Sequence, residues 1–165
     1  MDRIERSRQK YAQLFGNAEF SSFTTDPEFE DILIRFIFGE VFYHGSLTDQ
    51  QRELILLVVL TTNQTLPQVR DHVGAALKVG LTPVEIKEAI YHCAPYIGFP
   101  KTLNALSQAN DVFTEKKIHL PLESQKQVNE DNRFEKGLEL RVAIFGDATR
   151  QSQQNAAENQ KHIQE

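Results

Sequence analysis

Apolar residues along this chain recur three and four positions apart, the spacing of a helix with one buried stripe, and strand-like alternation is weak. Starts and stops fall where such helices need them. Arg3 to Phe15 predicts a short polar helix stopped by Gly16, and the Ser/Thr-rich stretch to Thr25 predicts a loop. Thr25 with Glu28 forms a capping-box pattern with Pro27 in the first turn, opening a helix to about Tyr43 that is rich in aromatics (Phe29, Phe36, Phe38, Phe42, Tyr43) and closed by Gly45. Thr48 with Gln51 opens the next helix, to about Thr62. Its middle, Leu54 to Leu60, is apolar all round and predicts the centre of a bundle. Periodicity alone would allow a buried strand there, but the cap and the length argue for a helix.

Thr65 with Gln68 and Pro67 predicts a third capping box, in a helix stopped by Gly80. Thr82, Pro83 and Glu85 open a fourth helix, ended by Pro95 and Gly98, and Pro100 opens a fifth that runs to about Lys117. A last amphipathic helix covers about Arg133 to Phe145, followed by a polar tail with too little apolar content to bury itself. The expectation is an all-α bundle of about six to seven helices, with a domain over 1–117, a connector over 118–132 and a C-terminal helix and tail over 133–165. One weak internal repeat stands out. Arg3-Ile-Glu-Arg through Leu-Phe-Gly16 is echoed 130 positions later by Arg133-Phe-Glu-Lys through Ile-Phe-Gly146, so the last segment resembles the opening of a second copy.

Composition narrows the classes. The net charge of −5 and the absence of a basic run argue against nucleic acid or an anionic membrane as partner. No apolar run approaches the roughly 20 residues of a membrane span, and the N-terminus lacks an apolar signal core, so a cytoplasmic protein is expected. A single cysteine, Cys93, allows no internal disulfide and sits in an apolar stripe, as an inert buried thiol would. No His/Cys cluster has metal-ligand spacing, and no nucleotide-binding or nucleophile-elbow motif is present, so no metal and no cofactor is expected. Eleven phenylalanines suggest more apolar surface than one subunit can cover, and hence a homo-oligomer.

Two residues are candidates for chemistry. His72 lies at the edge of the stripe formed by Val69, Val73, Ala76 and Leu77 and so faces inward, where an imidazole needs a hydrogen-bond partner. Read alone, it is a core histidine satisfied by a backbone carbonyl. Glu53 directly precedes the apolar run of the central helix, and read alone it is a solvated first-turn acid. The two lie 19 positions apart on consecutive helices joined by a short loop. That spacing permits contact without requiring it.

The order Leu47-Thr-x-x-x-Arg52-Glu53-Leu-Ile, x-x-His72-x-x-Ala-Ala-Leu-x-x-Gly80-Leu-Thr, Glu85-Ile-x-Glu88-Ala, Tyr96-x-Gly98-Phe-Pro100, Asn104-Ala105 resembles the carboxymuconolactone decarboxylase family and, more distantly, alkylhydroperoxidase D. The resemblance implies an all-α fold assembled as trimers or hexamers. In the peroxidase branch it implies a proton relay of a glutamate matching Glu53, a histidine matching His72 and a Cys-x-x-Cys pair. The cysteines of that pair fall here on Thr65 and Gln68, which cannot form a disulfide or attack a peroxide. The decarboxylase branch needs no thiol. It implies a small-molecule lyase in which His72 is the general acid/base and Glu53 orients it. Arg52 is a candidate for binding a substrate carboxylate. The competing expectations are a thiol-dependent peroxidase and a non-catalytic binding module that kept the fold, the latter predicting no cavity at Glu53 and His72.

Overall fold

A computed structural model describes residues 1–16 and 25–154, and the predicted loop before Thr25 and the end of the tail lie outside them. All regular structure among the described residues is helical: α1 (Arg3–Phe15), α2 (Pro27–Gly39), a 3₁₀ turn (Val41–Tyr43), α3 (Asp49–Asn63), α4 (Leu66–Lys78), α5 (Pro83–His92), α6 (Ala94–Ile97), α7 (Phe99–Glu115), α8 (Arg133–Phe145) and α9 (Ala148–Gln154). The count runs slightly above the expected six to seven, because the single-turn α6 separates from α5 and because α9 forms in the polar tail. The chain divides into two compact units, Met1–Leu122 and Glu123–Glu165.

Two of the predicted capping boxes close as the sequence implies. Thr48 accepts from the Gln51 amide while the Gln51 side chain takes the Thr48 N–H, and Thr82 and Glu85 do the same for α5. The other two do not. Thr25 spends its hydroxyl on the Asp26 carboxylate at 2.7 Å, and Asp26 becomes the N-cap of α2 with no side-chain cap bond. Thr65 has φ −82°, ψ 70°, and its hydroxyl reaches back to the Leu60 carbonyl at 3.3 Å, so the N-terminus of α4 carries no side-chain cap. In both cases a partner other than the N3 amide takes the hydroxyl. The aromatic helix also stops earlier than expected, at Gly39, with the 3₁₀ turn completing the path to Tyr43.

In the first unit α4 is the shared wall. Val69, Val73 and Ala76 pack with Leu57 of α3, Ile86 and Ile90 of α5 and Ala105, Ala109 and Phe113 of α7. Ala75, on another face of α4, packs with Leu14 of α1, Ile34 and Phe38 of α2, and Phe42. The α3–α4 turn is tied down by Gln64, which adopts a left-handed conformation (φ 58°), donates to the Thr61 and Lys101 carbonyls and accepts from Asn104 of α7. Close approach of α1 to α2 depends on Gly39, where a methyl group would stand 2.7 Å from the Arg3 carbonyl oxygen.

The central helix departs from its prediction. Leu57 is fully buried, yet Ile55, Val58 and Val59 of α3 are exposed, so nothing among the described residues wraps the whole of the apolar run. In the second unit α8 packs on α9, and none of its residues is buried. It repeats two features of α1: a length of 13 residues, and a closing glycine of positive φ (89° at Gly16, 82° at Gly146) whose N–H bonds the carbonyl four residues back.

Candidate functional site

Helix α3 turns Glu53, Leu57 and Thr61 inward, four residues apart, as the period of the helix requires. Helix α4 returns alongside it and presents His72. The two side chains meet: His72 Nδ1 lies 2.8 Å from Glu53 Oε2. Glu53 is 0% exposed and the His72 side chain 14%. An ionised carboxylate can only accept, so with Glu53 in that form the contact requires the proton on Nδ1. The edge of the imidazole also meets the Phe15 ring, the centroids 5.5 Å apart and nearly perpendicular. Both isolated readings of these residues are thereby corrected. Glu53 is sealed rather than solvated, and His72 is satisfied by a carboxylate rather than by a backbone carbonyl.

His72 lines a cavity of about 690 Å³, within the range of small-molecule sites. Its walls come from α1 (Tyr11, Phe15), α2 (Phe29, Glu30, Leu33) and α4 (Gln68, Asp71, Ala75), with the C-terminal end of α7 beside them. Part of the predicted aromatic helix is thus a cavity wall. The Tyr11 phenol is pushed up from its usual range, first by burial and then by the Glu30 and Asp71 carboxylates. Tyr11 and Phe15 escaped the sequence reading because α1 is polar overall, although their i, i+4 spacing puts them on one face.

Arg52 is not brought to this cavity. Its Nη2 donates to the His44 carbonyl at 2.7 Å, and its guanidinium lies over the Phe42 ring at 5.7 Å. The positions matching a dithiol hold Thr65, engaged with Leu60, and Gln68, on the cavity wall. Cys93 lies elsewhere, 4% exposed, its Sγ 3.4 Å from the Ala89 carbonyl, and burial pushes its thiol up, away from the reactive thiolate.

Comparison with known proteins gives a consistent picture. The model of the carboxymuconolactone decarboxylase family matches residues 27–111, from the start of α2 into α7. The chain is 32% identical over 106 residues to 4-carboxymuconolactone decarboxylase of Acinetobacter baylyi, covering 64% of this chain and 75% of that protein. It is 27% identical over 90 residues to the nitrosuccinic acid decarboxylase of Metarhizium robertsii, covering 54% of this chain and 59% of that protein.

Proposed function

Because the chain belongs to the carboxymuconolactone decarboxylase family, we propose that it is a small-molecule decarboxylase in which His72 delivers the proton and Glu53 positions it. The observation that carries this reading is the 2.8 Å contact between a sealed carboxylate and an imidazole on the wall of a ligand-sized cavity. A decarboxylation breaks a carbon–carbon bond, releases CO₂ and leaves an electron pair on carbon. A neighbouring carbonyl or nitro group takes up that pair until a proton arrives. Nε2–H of the imidazolium supplies the proton, forming the new C–H bond, and solvent restores it afterwards. The buried carboxylate of Glu53 balances the imidazolium charge and fixes Nδ1–H, so that Nε2 faces the ligand. The apolar wall of Phe15, Phe29 and Leu33 favours charge dispersal over a localised carboxylate.

The names of the two relatives each describe a carboxylic acid bearing a group that can hold the electron pair, a lactone or a nitro group. The test is a panel of such acids, beginning with 4-carboxymuconolactone and nitrosuccinate, followed by CO₂ release. Turnover is expected with at least one of them and none with tert-butyl hydroperoxide plus a dithiol reductant. Hydroperoxide turnover that disappears in Cys93→Ala would replace this reading with the peroxidase. The non-catalytic module is disfavoured because it requires no cavity at His72.

We further propose that the protein works as a homo-oligomer. Ile55, Val58 and Val59 on α3 and Tyr91, Tyr96, Phe99 and Leu103 on α5 to α7 are exposed, an apolar surface of the kind that subunit contacts cover. Light scattering of the purified chain is expected to give a trimer or hexamer of the 18.9 kDa subunit. Val58→Glu, which puts a charge on that surface, is expected to lower the mass. A monomeric wild type would end this proposal.

A further inference from the structure

We propose that Phe15 is a positioning residue for His72: its ring fixes the plane of the imidazole, so that α1 completes the acid–base pair that α3 and α4 form. This inference rests on the decarboxylase reading above and gives α1 a part in that same site.

The need for a second contact follows from the first. The torsion that turns an imidazole about its Cβ–Cγ bond has broad minima. The 2.8 Å hydrogen bond of Nδ1 to Glu53 Oε2 holds one corner of the ring. A ring held at one corner can still tilt about that bond, and the tilt moves the far nitrogen while the bonded one stays in place. Among the described residues the other directed contact of the imidazole is the Phe15 ring, with centroids 5.5 Å apart and planes at 89°. Aromatic pairs favour that perpendicular arrangement, so the contact resists the tilt that the hydrogen bond allows. The two constraints come from different helices, α3 and α1, and together they define a plane.

Phe15 is itself held. The Tyr11 ring, one turn earlier on α1, lies 4.9 Å from it, and the Phe38 ring of α2 lies 5.7 Å away and nearly perpendicular. Tyr11 and Phe38 also meet each other, 5.4 Å apart, which closes a three-ring cluster. Phe38 is buried and contacts Phe42 in turn. Next to Phe15, Leu14 is fully buried in one cluster with Ile34 and Ala75. The level of α1 on α2 is set at Gly39, where a Cβ would stand 2.7 Å from the Arg3 carbonyl oxygen. A backbone crossing at Gly39 is in this way connected, through the ring cluster, to the orientation of the imidazole. The segment matched by the family model begins at residue 27, so this brace lies ahead of it.

Phe15→Leu keeps an apolar side chain at the position and removes the ring plane, whereas Phe15→Tyr keeps the plane. Two readouts are taken on the full chain. In protein labelled with ¹⁵N-histidine, NMR follows exchange with water of the His72 ring N–H held by Glu53, its signal assigned by its loss in His72→Gln. Separately, kcat and KM are measured with 4-carboxymuconolactone or nitrosuccinate, whichever is turned over. Phe15→Leu is expected to speed the exchange about tenfold, because the ring leaves its partner more often. It is expected to lower kcat about tenfold, on the scale of a small misplacement of a reacting group, with KM changed less than about twofold. Phe15→Tyr is expected to restore both. A leucine variant that melts earlier but keeps the exchange rate and the kcat of the folded protein overturns the proposal and leaves Phe15 as packing. A tyrosine variant no better than leucine overturns it too. Should leucine prevent folding, Tyr11→Leu loosens Phe15 from one side and is expected to speed the exchange by about threefold; no acceleration there overturns the brace. If neither acid is decarboxylated, the exchange rates still decide the brace, while the decarboxylase reading stands or falls on turnover alone.

Discussion

His72→Gln is expected to lower kcat for CO₂ release by roughly 10²–10⁴-fold, the usual worth of a positioned acid–base group, with the melting temperature little changed. The reason lies in where the ring sits. Its side chain is 14% exposed on the wall of the cavity, and Nδ1 is its hydrogen-bonding link to the protein. Glutamine is of similar length and can still donate an amide N–H to the Glu53 carboxylate, so the buried acid keeps a partner. Glutamine cannot release a proton to carbon at neutral pH. KM should change far less than kcat, because the imidazole acts on the developing carbanion rather than on the bound ground state. Undiminished kcat in a folded His72→Gln protein would remove the mechanism proposed above, whatever the substrate proves to be.

Much of this architecture could be read from residue order, and the places where the reading failed have physical causes. The caps at Thr48 and Thr82 were legible because each N3 partner, Gln51 or Glu85, returns the bond, so two local interactions agree. Thr65 and Gln68 carry the same pattern, but the Leu60 carbonyl competes for the hydroxyl, and that carbonyl is near only because the α3–α4 turn is tight. The inward direction of His72 followed from the stripe Val69, Val73, Ala76. Its partner did not, because the level at which α3 passes α4 depends on Gln64 bridging to Lys101 and Asn104, some 40 residues away in sequence. Burial of Glu53 was hidden for a different reason. Glu53 proves to be the fifth residue of α3, past the first turn, and it shares the inward face with Leu57 and Thr61. The cavity wall drew on α1 and α2, whose joining is set by a close approach at Gly39 that no spacing rule announces. Arg52 shows the opposite error: a charge adjacent to a candidate in sequence points about 100° away from it on a helix, and here it serves the His44 carbonyl.

Glu53→Gln is expected to separate catalysis from stability, with the two moving in opposite directions. Glu53 is 0% exposed, and among the described residues its Oε2 hydrogen-bonds His72 while its Oε1 has no hydrogen-bond partner. A buried carboxylate so sparsely satisfied carries a desolvation penalty that one contact does not offset. The neutral amide removes the charge while keeping the shape and one hydrogen bond to the ring, so stability in urea should be unchanged or higher, by up to a few kcal/mol on the scale of buried-ion replacements. Activity should fall by about 10²-fold or more. An amide cannot balance the imidazolium charge, and its NH₂ can donate to Nδ1 and favour the tautomer with the proton on Nε2 and no charge to drive its release. Glu53→Ala is the contrasting variant. It leaves Nδ1 without a partner and opens a void on α3 beside Leu57, so it should lose both activity and about 2–4 kcal/mol of stability. If Glu53 only held α3 to α4, glutamine would lower the melting temperature and leave the kcat of the folded fraction intact. That outcome would reduce the pair to a structural contact.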